Sequence, residues 1–347
     1  MLPDLVKGIG REIQIKGANF TNKITSLYFG GGTPSLLEID QLAKIMEQIQ
    51  DHFDLESDIE ISLEANPEDI SRSYLSGLKS LGINRLSLGI QSFDDGDLAF
   101  VNRGHSAQQA VNAIRTIQNS EIDAYSIDLI FGLIGSTFDT WKKNLDTVSE
   151  MDIPHVSCYN LTIEEQTVFA NWLQKKLIIQ SDDEYQLNQF LYTHNFLTDL
   201  GYDHYEISNY AKTGFFAVHN SNYWNGAPYI GIGPSAHSYY NEKRVWNVSN
   251  NALYIKQVSE GQQFWEEEDL TESDRYNEAI MLGLRTRKGL SKALLQSFSE
   301  RVKDHFKSVS QTLLTEGLLD DSLTHYFIPI KKIFLCDSIC SDLFLIS

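Results

Sequence analysis

Short apolar runs alternate with amphipathic segments along the first 160 residues. The apolar runs are rich in β-branched and aromatic side chains, which is typical of strands, whereas the segments between them repeat apolar residues every three or four positions, as helices do. The predicted strands span residues 24–29, 59–65, 85–90, 125–131 and 155–161, and helical patterns between them include residues 39–53 and 106–118. This alternation predicts an α/β fold built on a parallel sheet.

The pattern changes after about residue 181. Residues 182–202 predict one long helix, and the aromatic, glycine-rich stretch HNSNYWNGAPYIGIGPSAHSYY follows at residues 219–240. The chain divides accordingly into a main domain at 1–246, a linker rich in Asn and Glu at 247–269 and a small domain at 270–347. The small domain is expected to be helical and about the size of a winged helix.

Within the small domain, Thr271 and Asp274 fit the start of a helix, because a hydroxyl at the N-cap and an acidic first turn satisfy unpaired backbone N–H groups. The tail from Phe327 onward alternates apolar and polar residues, which predicts a small hairpin.

Composition narrows the class of protein. The 347 residues are 42% hydrophobic and 22% charged, as in ordinary globular proteins. Asp and Glu number 47 against 28 Lys and Arg, the net charge is -19, and no basic run occurs, so nucleic acid is not an expected partner. No apolar stretch approaches the roughly 20 residues that cross a bilayer, and the start lacks the apolar centre of a signal peptide. These features predict a cytoplasmic protein, with peripheral association at a membrane left open.

Polar or glycine-rich residues follow each predicted strand. In parallel α/β folds the ligand binds beyond the carboxyl ends of the strands, an edge that we call the rim. The rim residues expected from the sequence are the glycines after Phe29, then Glu64, Gln91, Asp128 and the segment 159–162. The three consecutive glycines have two interpretations, a plain strand-to-helix turn or a backbone surface that a ligand contacts.

The chemistry of these residues suits a zwitterionic ligand that carries a ribose. Backbone carbonyls beside the glycines can accept from an ammonium group, and Arg103 can pair with a carboxylate. Glu64 and Asp128 can accept hydrogen bonds from hydroxyls. S-adenosylmethionine has all three kinds of group.

Several separate stretches carry a resemblance to a known family. YFGGGTPSLL, SLEANPEDI, RLSLGIQSFDDGDLAFVNRGHS, YSIDLIFGL and SCYNLTIEEQT resemble the coproporphyrinogen-oxidase-like branch of the radical S-adenosylmethionine superfamily. HNSNYWNGAPYIGIGPSAHSY is similar to the heme chaperones of that branch, whose mark is a His-Asn-x-x-Tyr-Trp motif. That motif is met here by His219, Asn220, Tyr223 and Trp224.

The resemblance implies a partial (β/α)6 TIM-like barrel with a small C-terminal domain. By motif, the methionyl end of S-adenosylmethionine would be held by Gly31, Gly32 and Thr33, and its ribose by Glu64. Positions that contact a second S-adenosylmethionine in the oxidases match Gln91, Arg103, Asp128 and, less closely, Thr162. Each residue also has a structural interpretation: Glu64 as a helix anchor, Arg103 in a surface ion pair, and Asp128 in a hydrogen bond at the rim.

The chain departs from the family in its cysteines. The family carries Cys-x3-Cys-x2-Cys, which binds a [4Fe-4S] cluster, and this sequence has no such motif. Cys158, Cys336 and Cys340 are too scattered for a disulfide framework or for a cluster, and we interpret them as buried apolar side chains. We therefore expect an N-terminally shortened chain that lacks the first β-loop-α unit and assembles no radical-generating cluster.

The sequence leaves three interpretations of this chain open. The first is a heme chaperone that transfers heme to apo-hemoproteins of the respiratory chain, with His219 as a candidate iron ligand and His237 as a weaker one. The second is an oxygen-independent coproporphyrinogen III oxidase, an enzyme that needs the cluster. The third is a nonfunctional remnant whose unpaired sheet edge favours aggregation.

Overall fold

A computed structural model describes residues 2–18, 20–122 and 124–346. The strands of its main sheet are β1 (Ile24–Phe29), β2 (Leu55–Ala65), β3 (Arg85–Gln91), β4 (Ala124–Phe131), β5 (His155–Asn160), β6 (Asp203–Glu206) and β7 (Asn209–Ala211). They lie in the order β1-β2-β3-β4-β5-β7-β6, with the first five parallel and the last two antiparallel. The five strands predicted from the sequence are confirmed.

Helices connect and flank these strands. In the described ranges they are α1 (Leu2–Gly17), α2 (Ile39–His52), α3 (Arg72–Ser80), α4 (Asp95–Phe100), α5 (Ala107–Gln118), α6 (Phe138–Glu150), α7 (Val168–Gln174), α8 (Asp183–Asp199), α9 (Val218–Trp224), α10 (Asn251–Glu260), α11 (Glu272–Leu284), α12 (Lys292–Gln296), α13 (Glu300–Thr315) and α14 (Cys336–Leu343). Apolar spacing explains the helices between the parallel strands, and capping boxes fix the starts of α2 and α5. None of these helices is long and apolar enough to span a bilayer.

Alternation along the strands separates two faces of the sheet. Leu86 and Leu88 of β3 are fully buried in the core that also holds Ile114 of α5. Ser87 lies between them and points to the opposite face of the sheet, where its hydroxyl contacts Asp128 of β4. We call this opposite face, which carries Tyr28, Glu64, Ser87 and Asp128, the inner face.

Helix α1 was not predicted from the sequence. It packs on α2 through an apolar cluster and also reaches a second sheet through Glu12, which is fully buried. Glu12 accepts hydrogen bonds from the backbone N–H of Gly233 (2.7 Å), from Asn247 Nδ2 (2.6 Å) and from the hydroxyl of Tyr254. A buried carboxylate is tolerated only with such partners, so Glu12 joins α1 firmly to the second sheet.

The second sheet contains β8 (His237–Tyr240), β9 (Lys243–Asn247) and β10 (Trp265–Asp269), in the order β10-β9-β8. The segment 247–269, expected to be a linker, holds α10 and β10, and β10 pairs with β9 along its length. Because this pairing crosses the expected boundary at 246, the division into domains stays a prediction. The main domain was predicted to begin at Met1 and the small domain to end at Ser347, and both of these residues lie outside the described residues.

The C-terminal region packs α11, α13 and α14 around the small strands β11 (Leu290–Ser291), β12 (Asp320–Asp321) and β13 (His325–Phe327). The predicted cap is confirmed, since Thr271 and Asp274 form a capping box at α11. The predicted hairpin in the tail is wrong, because the tail forms α14. Its buried residues, Cys336, Ile339, Cys340 and Leu343, follow the three-to-four spacing of a helix.

Candidate functional site

The three glycines form the turn that follows β1. Gly31 and Gly32 have φ values of 77° and 73°, and no atom lies within 4 Å of the position that a Cβ would take at either residue. At Gly30, by contrast, a Cβ would lie 2.5 Å from the Tyr28 ring. The turn therefore needs glycine for its conformation, and it also leaves two residues of backbone open to a ligand. Thr33 follows, and its side chain makes no capping hydrogen bond.

Glu64 lies directly behind this turn. Its Oε1 accepts a hydrogen bond from the Tyr28 hydroxyl (2.8 Å), and its Oε2 accepts one from the backbone N–H of Gly31 (3.2 Å). Burial, with the Glu64 carboxylate adding to it, raises the pKa of Tyr28, so the phenol stays protonated and donates. A carboxylate has about four acceptor positions, so Glu64 retains acceptor capacity for a further donor.

Gln91, Arg103 and Asn66 converge on Gly89 of β3. A Cβ at Gly89 would lie 3.0 Å from Gln91 Nε2, 3.7 Å from Asn66 Oδ1 and 3.8 Å from Arg103 Nη2. Gln91 is buried and has a left-handed φ of 70°, which is uncommon for a residue other than glycine. Such backbone strain is frequent at ligand sites, where it aims a side chain. Gln91 and Arg103 are thus brought together as the sequence predicts.

Asp128 lies on the inner face between the hydroxyls of Ser87 and Ser157. Burial raises its pKa to about 6, the nearby Glu64 carboxylate adds to this effect, and hydrogen bonds from the two serines oppose it. The Ser87 hydroxyl lies 3.4 Å from Asp128 Oδ2. A half-buried carboxylate whose partners are neutral hydroxyls is typical of functional sites, because a purely structural one is normally paired with a cation.

Thr162 lies two residues beyond β5 and is exposed. The structure brings it into no hydrogen bond with the other rim residues in the described part of the chain. Its expected role therefore stays a prediction.

Helix α9, which carries the His-Asn-x-x-Tyr-Trp motif, lies on the inner face against β1 and β2. Glu60 of β2 accepts hydrogen bonds from the backbone N–H groups of Val218 (3.0 Å) and His219 (2.8 Å). These N–H groups belong to the first turn of the helix, which has no internal acceptor for them. Asn222 donates to Ser26 Oγ (3.2 Å). Side chains of two strands thus fix the position of α9.

The imidazole of His219 is held on three sides. Its Nδ1 lies 2.9 Å from Ser26 Oγ. The Tyr28 ring stacks on it with a centroid distance of 4.9 Å and an interplanar angle of 16°, and Tyr223 contacts it edge-on at 5.1 Å. Burial lowers the pKa of His219, and the Glu60 carboxylate opposes this only in part. The ring is therefore neutral near pH 7.

The remaining motif residues point in other directions. Asn220 Nδ2 donates to the Tyr205 hydroxyl (3.4 Å). Tyr223 is 41% exposed and also packs edge-on against Tyr229 at 4.6 Å. The indole nitrogen of Trp224 is buried and has no hydrogen-bond partner within the described ranges.

A second polar cluster, which we call the polar floor, lies on the inner face near the amino ends of the strands and contains Glu60, Arg85, His155, Tyr205 and Glu206. Arg85 Nη1 lies 3.7 Å from Glu60 Oε2, and His155 Nε2 lies 2.8 Å from the Tyr205 hydroxyl. Burial lowers the pKa of His155 and raises the pKa of Glu206 to about 7. Arg85 also donates to the Phe215 carbonyl oxygen, and Glu206 accepts from Asn209 Nδ2, whereas His155 Nδ1 has no hydrogen-bond partner among the described residues.

Sequence reasoning missed Tyr28 and Glu60. Tyr28 is the residue that contacts both Glu64 and His219, and Glu60 is the residue that caps α9. The alternation of β1 and β2 places both on the inner face, which was the available signal. His237, the weaker heme candidate, is exposed on β8.

Comparison with known proteins defines the class. The family model for the radical SAM superfamily matches residues 11–148, and that for the HemN C-terminal domain matches residues 270–328. Coproporphyrinogen III oxidase (HemN) from Escherichia coli, a radical SAM enzyme, has the same fold, with a TM-score of 0.83 at 23% identity over 98% of this chain and 82% of that one. The predicted fold, a partial radical SAM barrel with a small C-terminal domain, is confirmed.

Curated relatives narrow the class further. The heme chaperone HemW of Lactococcus lactis is 32% identical over 294 residues, which cover 85% of this chain and 76% of the relative. The heme chaperone HemW of Bacillus subtilis is 33% identical over 310 residues, which cover 87% and 82%. The chain belongs to the heme chaperone HemW family.

Membership of the radical SAM superfamily implies S-adenosylmethionine and a [4Fe-4S] cluster. The open glycine backbone and the carboxylate of Glu64 fit the first, but the cysteines do not fit the second. Cys158 is buried in the core, where burial raises the pKa of its thiol, and Cys336 and Cys340 lie on α14. No group of three or more metal-ligating side chains occurs among the described residues.

Proposed function

We propose that this chain is a heme chaperone that binds heme and transfers it to apo-hemoproteins of the respiratory chain. The placement of His219 carries the proposal. Its Nδ1 is held by Ser26, its ring is fixed by Tyr28 and Tyr223, and its Nε2 makes no hydrogen bond with any described residue. A neutral imidazole with one free nitrogen is the usual histidine ligand of heme iron.

The rim would hold S-adenosylmethionine. The glycine backbone and Thr33 would contact its methionyl end, and Glu64 would accept from its ribose hydroxyls. When bound there, the cofactor would supply a cationic sulfonium and an adenosyl group. Further contacts with S-adenosylmethionine would come from Gln91, Arg103, Asp128 and Thr162. The support for this arrangement is that Gly31 contacts Glu64 and that Gln91 and Arg103 converge on Gly89.

This function places the chain in the cytoplasm, with peripheral contact at the membrane where respiratory hemoproteins reside. The alternative, radical decarboxylation of coproporphyrinogen, requires cluster thiolates at the rim. The cysteines of this chain lie elsewhere, so no observation favours that alternative.

Titration with hemin, followed by the Soret band, tests the chaperone proposal. The wild-type chain is expected to give a shifted, saturable band, and His219→Ala to weaken binding at least tenfold because it removes the iron ligand. His237→Ala is the matched control, since it removes an exposed imidazole outside α9, and it is expected to bind like the wild type. Equal affinities of wild type and His219→Ala would contradict the proposed site.

A further inference from the structure

Tyr28 contacts both candidate sites at once. Its hydroxyl donates to Glu64 at the rim (2.8 Å), and its ring stacks on His219 of α9 (4.9 Å between centroids). A single side chain therefore joins a group expected to bind a ribose to a group expected to bind iron.

The pairing of β1 with β2 creates this double contact. Tyr28 is directly opposite Ser62, and Glu64 follows two residues later on the same face of the sheet. A Cβ at Gly30 would approach both the Tyr28 ring and Glu64 Oε1, at 2.5 Å and 2.9 Å. The absence of a side chain at Gly30 is thus what lets the hydroxyl reach the carboxylate.

The hydrogen bond to Glu64 and the stacking on His219 have different effects. The hydrogen bond fixes the direction of the Tyr28 ring, because the phenol has one strong acceptor close to it. The ring in turn covers one face of His219, while Ser26 holds Nδ1. Movement of Glu64 therefore changes the packing of the imidazole without any direct contact between Glu64 and His219.

We propose that Tyr28 is a positioning residue that couples the two sites, so that a ribose-bearing ligand on Glu64 and heme iron on His219 strengthen each other's binding. A ribose diol that donates to the free acceptor positions of Glu64 immobilises the carboxylate and shields its bond to Tyr28 from water. The Tyr28 ring is then held in the position that orients His219. This inference rests on the proposed function for both of its ligands.

Coupling between two sites is reciprocal, which gives a strict test. If S-adenosylmethionine tightens hemin binding by some factor, hemin must tighten S-adenosylmethionine binding by the same factor. We expect a factor of about five, at the low end of the usual range, because one side chain carries the coupling. Soret titrations with and without S-adenosylmethionine, and calorimetry with and without hemin, measure the two values.

Tyr28→Phe separates coupling from packing. It keeps the ring on His219 and removes the hydroxyl, so hemin is expected to bind but the coupling factor to fall to about one. Tyr125→Phe is the matched control, since it removes a hydroxyl that accepts from Gln118 Nε2 (2.9 Å) at the amino end of β4, on the opposite face of the sheet from Tyr28 and His219. It is expected to retain the full factor.

An NMR measurement tests the link without heme. Addition of S-adenosylmethionine is expected to shift the ring resonances of His219 in the wild-type chain and not in Tyr28→Phe. No shift in the wild type, a shift that persists in Tyr28→Phe, or no binding of S-adenosylmethionine would each overturn the coupling. Failure of hemin to bind, with the NMR shift present, would overturn the chaperone proposal and leave the link through Tyr28 standing.

Discussion

The rim and the polar floor contain the same kinds of side chain in different states. The floor pairs Glu60 with Arg85 at 3.7 Å and uses the same carboxylate to cap α9. At the rim, Arg103 is exposed and makes no ion pair with any described residue, while Asp128 is half-buried with serine hydroxyls as its partners. The comparison teaches that the carboxylates and arginines of the two regions differ in the number of contacts that they already make, and not in the type of charge.

The largest difference between the two regions is expected in the free energy of unfolding that is lost when a carboxylate is removed. Glu60→Ala is expected to lower the free energy of unfolding by about 3 kcal/mol, because it leaves Arg85 as an uncompensated buried charge and uncaps α9. Glu64→Ala, the matched rim variant, is expected to cost less than about 1 kcal/mol. Urea denaturation followed by circular dichroism measures both. Equal losses would remove the distinction between rim and floor.

The second-largest effect is expected in the pH dependence of stability, to which Asp128 of the rim contributes. Its pKa in the folded chain is raised from 3.8 to about 6, so the folded state binds this proton more tightly than the unfolded state. The stability that this group contributes therefore falls as the pH rises from about 4 through 6, and the loss is complete above that range.

Asp128→Asn cannot ionise, so it is expected to be more stable than the wild type by about 1–3 kcal/mol at pH 8 and by little at pH 4. Asp146→Asn is the control, because Asp146 is exposed in the middle of α6, and it should change stability at neither pH. The measurement is thermal unfolding across this pH range. A destabilised Asp128→Asn at pH 8 would mean that the carboxylate has a structural role.

The smallest stability effect is expected from Glu64→Gln. This variant keeps the shape of the side chain and an acceptor for Tyr28, so unfolding should change by less than about 0.5 kcal/mol. Affinity for S-adenosylmethionine should nevertheless fall about tenfold or more, because hydrogen bonds to a charged acceptor are the stronger ones. Calorimetric titration measures the affinity. An unchanged affinity would exclude Glu64 from the ligand site.

The sequence predicted those features that depend on local pattern. The five parallel strands and the cap at Thr271 follow from apolar periodicity and capping chemistry, and both are present. The strand-end residues Glu64, Gln91 and Asp128 could be expected along one edge because parallel strands place their carboxyl ends there, whereas Arg103, which lies between α4 and α5, was expected only from the family resemblance.

Features that depend on the offset between elements could not be predicted. Tyr28 reaches Glu64 only because β1 pairs with β2 in one register, and a shift by one residue would turn one of the two side chains to the other face. Glu60 likewise meets Arg85 because of the register in which β2 pairs with β3. The tail was misread because its short run of apolar residues fits either a strand or a helix until packing against α11 and α13 decides between them.

Trp224 gives the chain an optical reporter of its own site. Its indole nitrogen is buried without a hydrogen-bond partner among the described residues, and it lies in the same helix as His219. An indole in such surroundings fluoresces at shorter wavelength than one in water, and a porphyrin bound nearby absorbs that light. The fully buried Trp141 emits in the same range, so the part of the quenching that is lost in Trp224→Phe would follow heme at the proposed site in real time, with no label added to the protein.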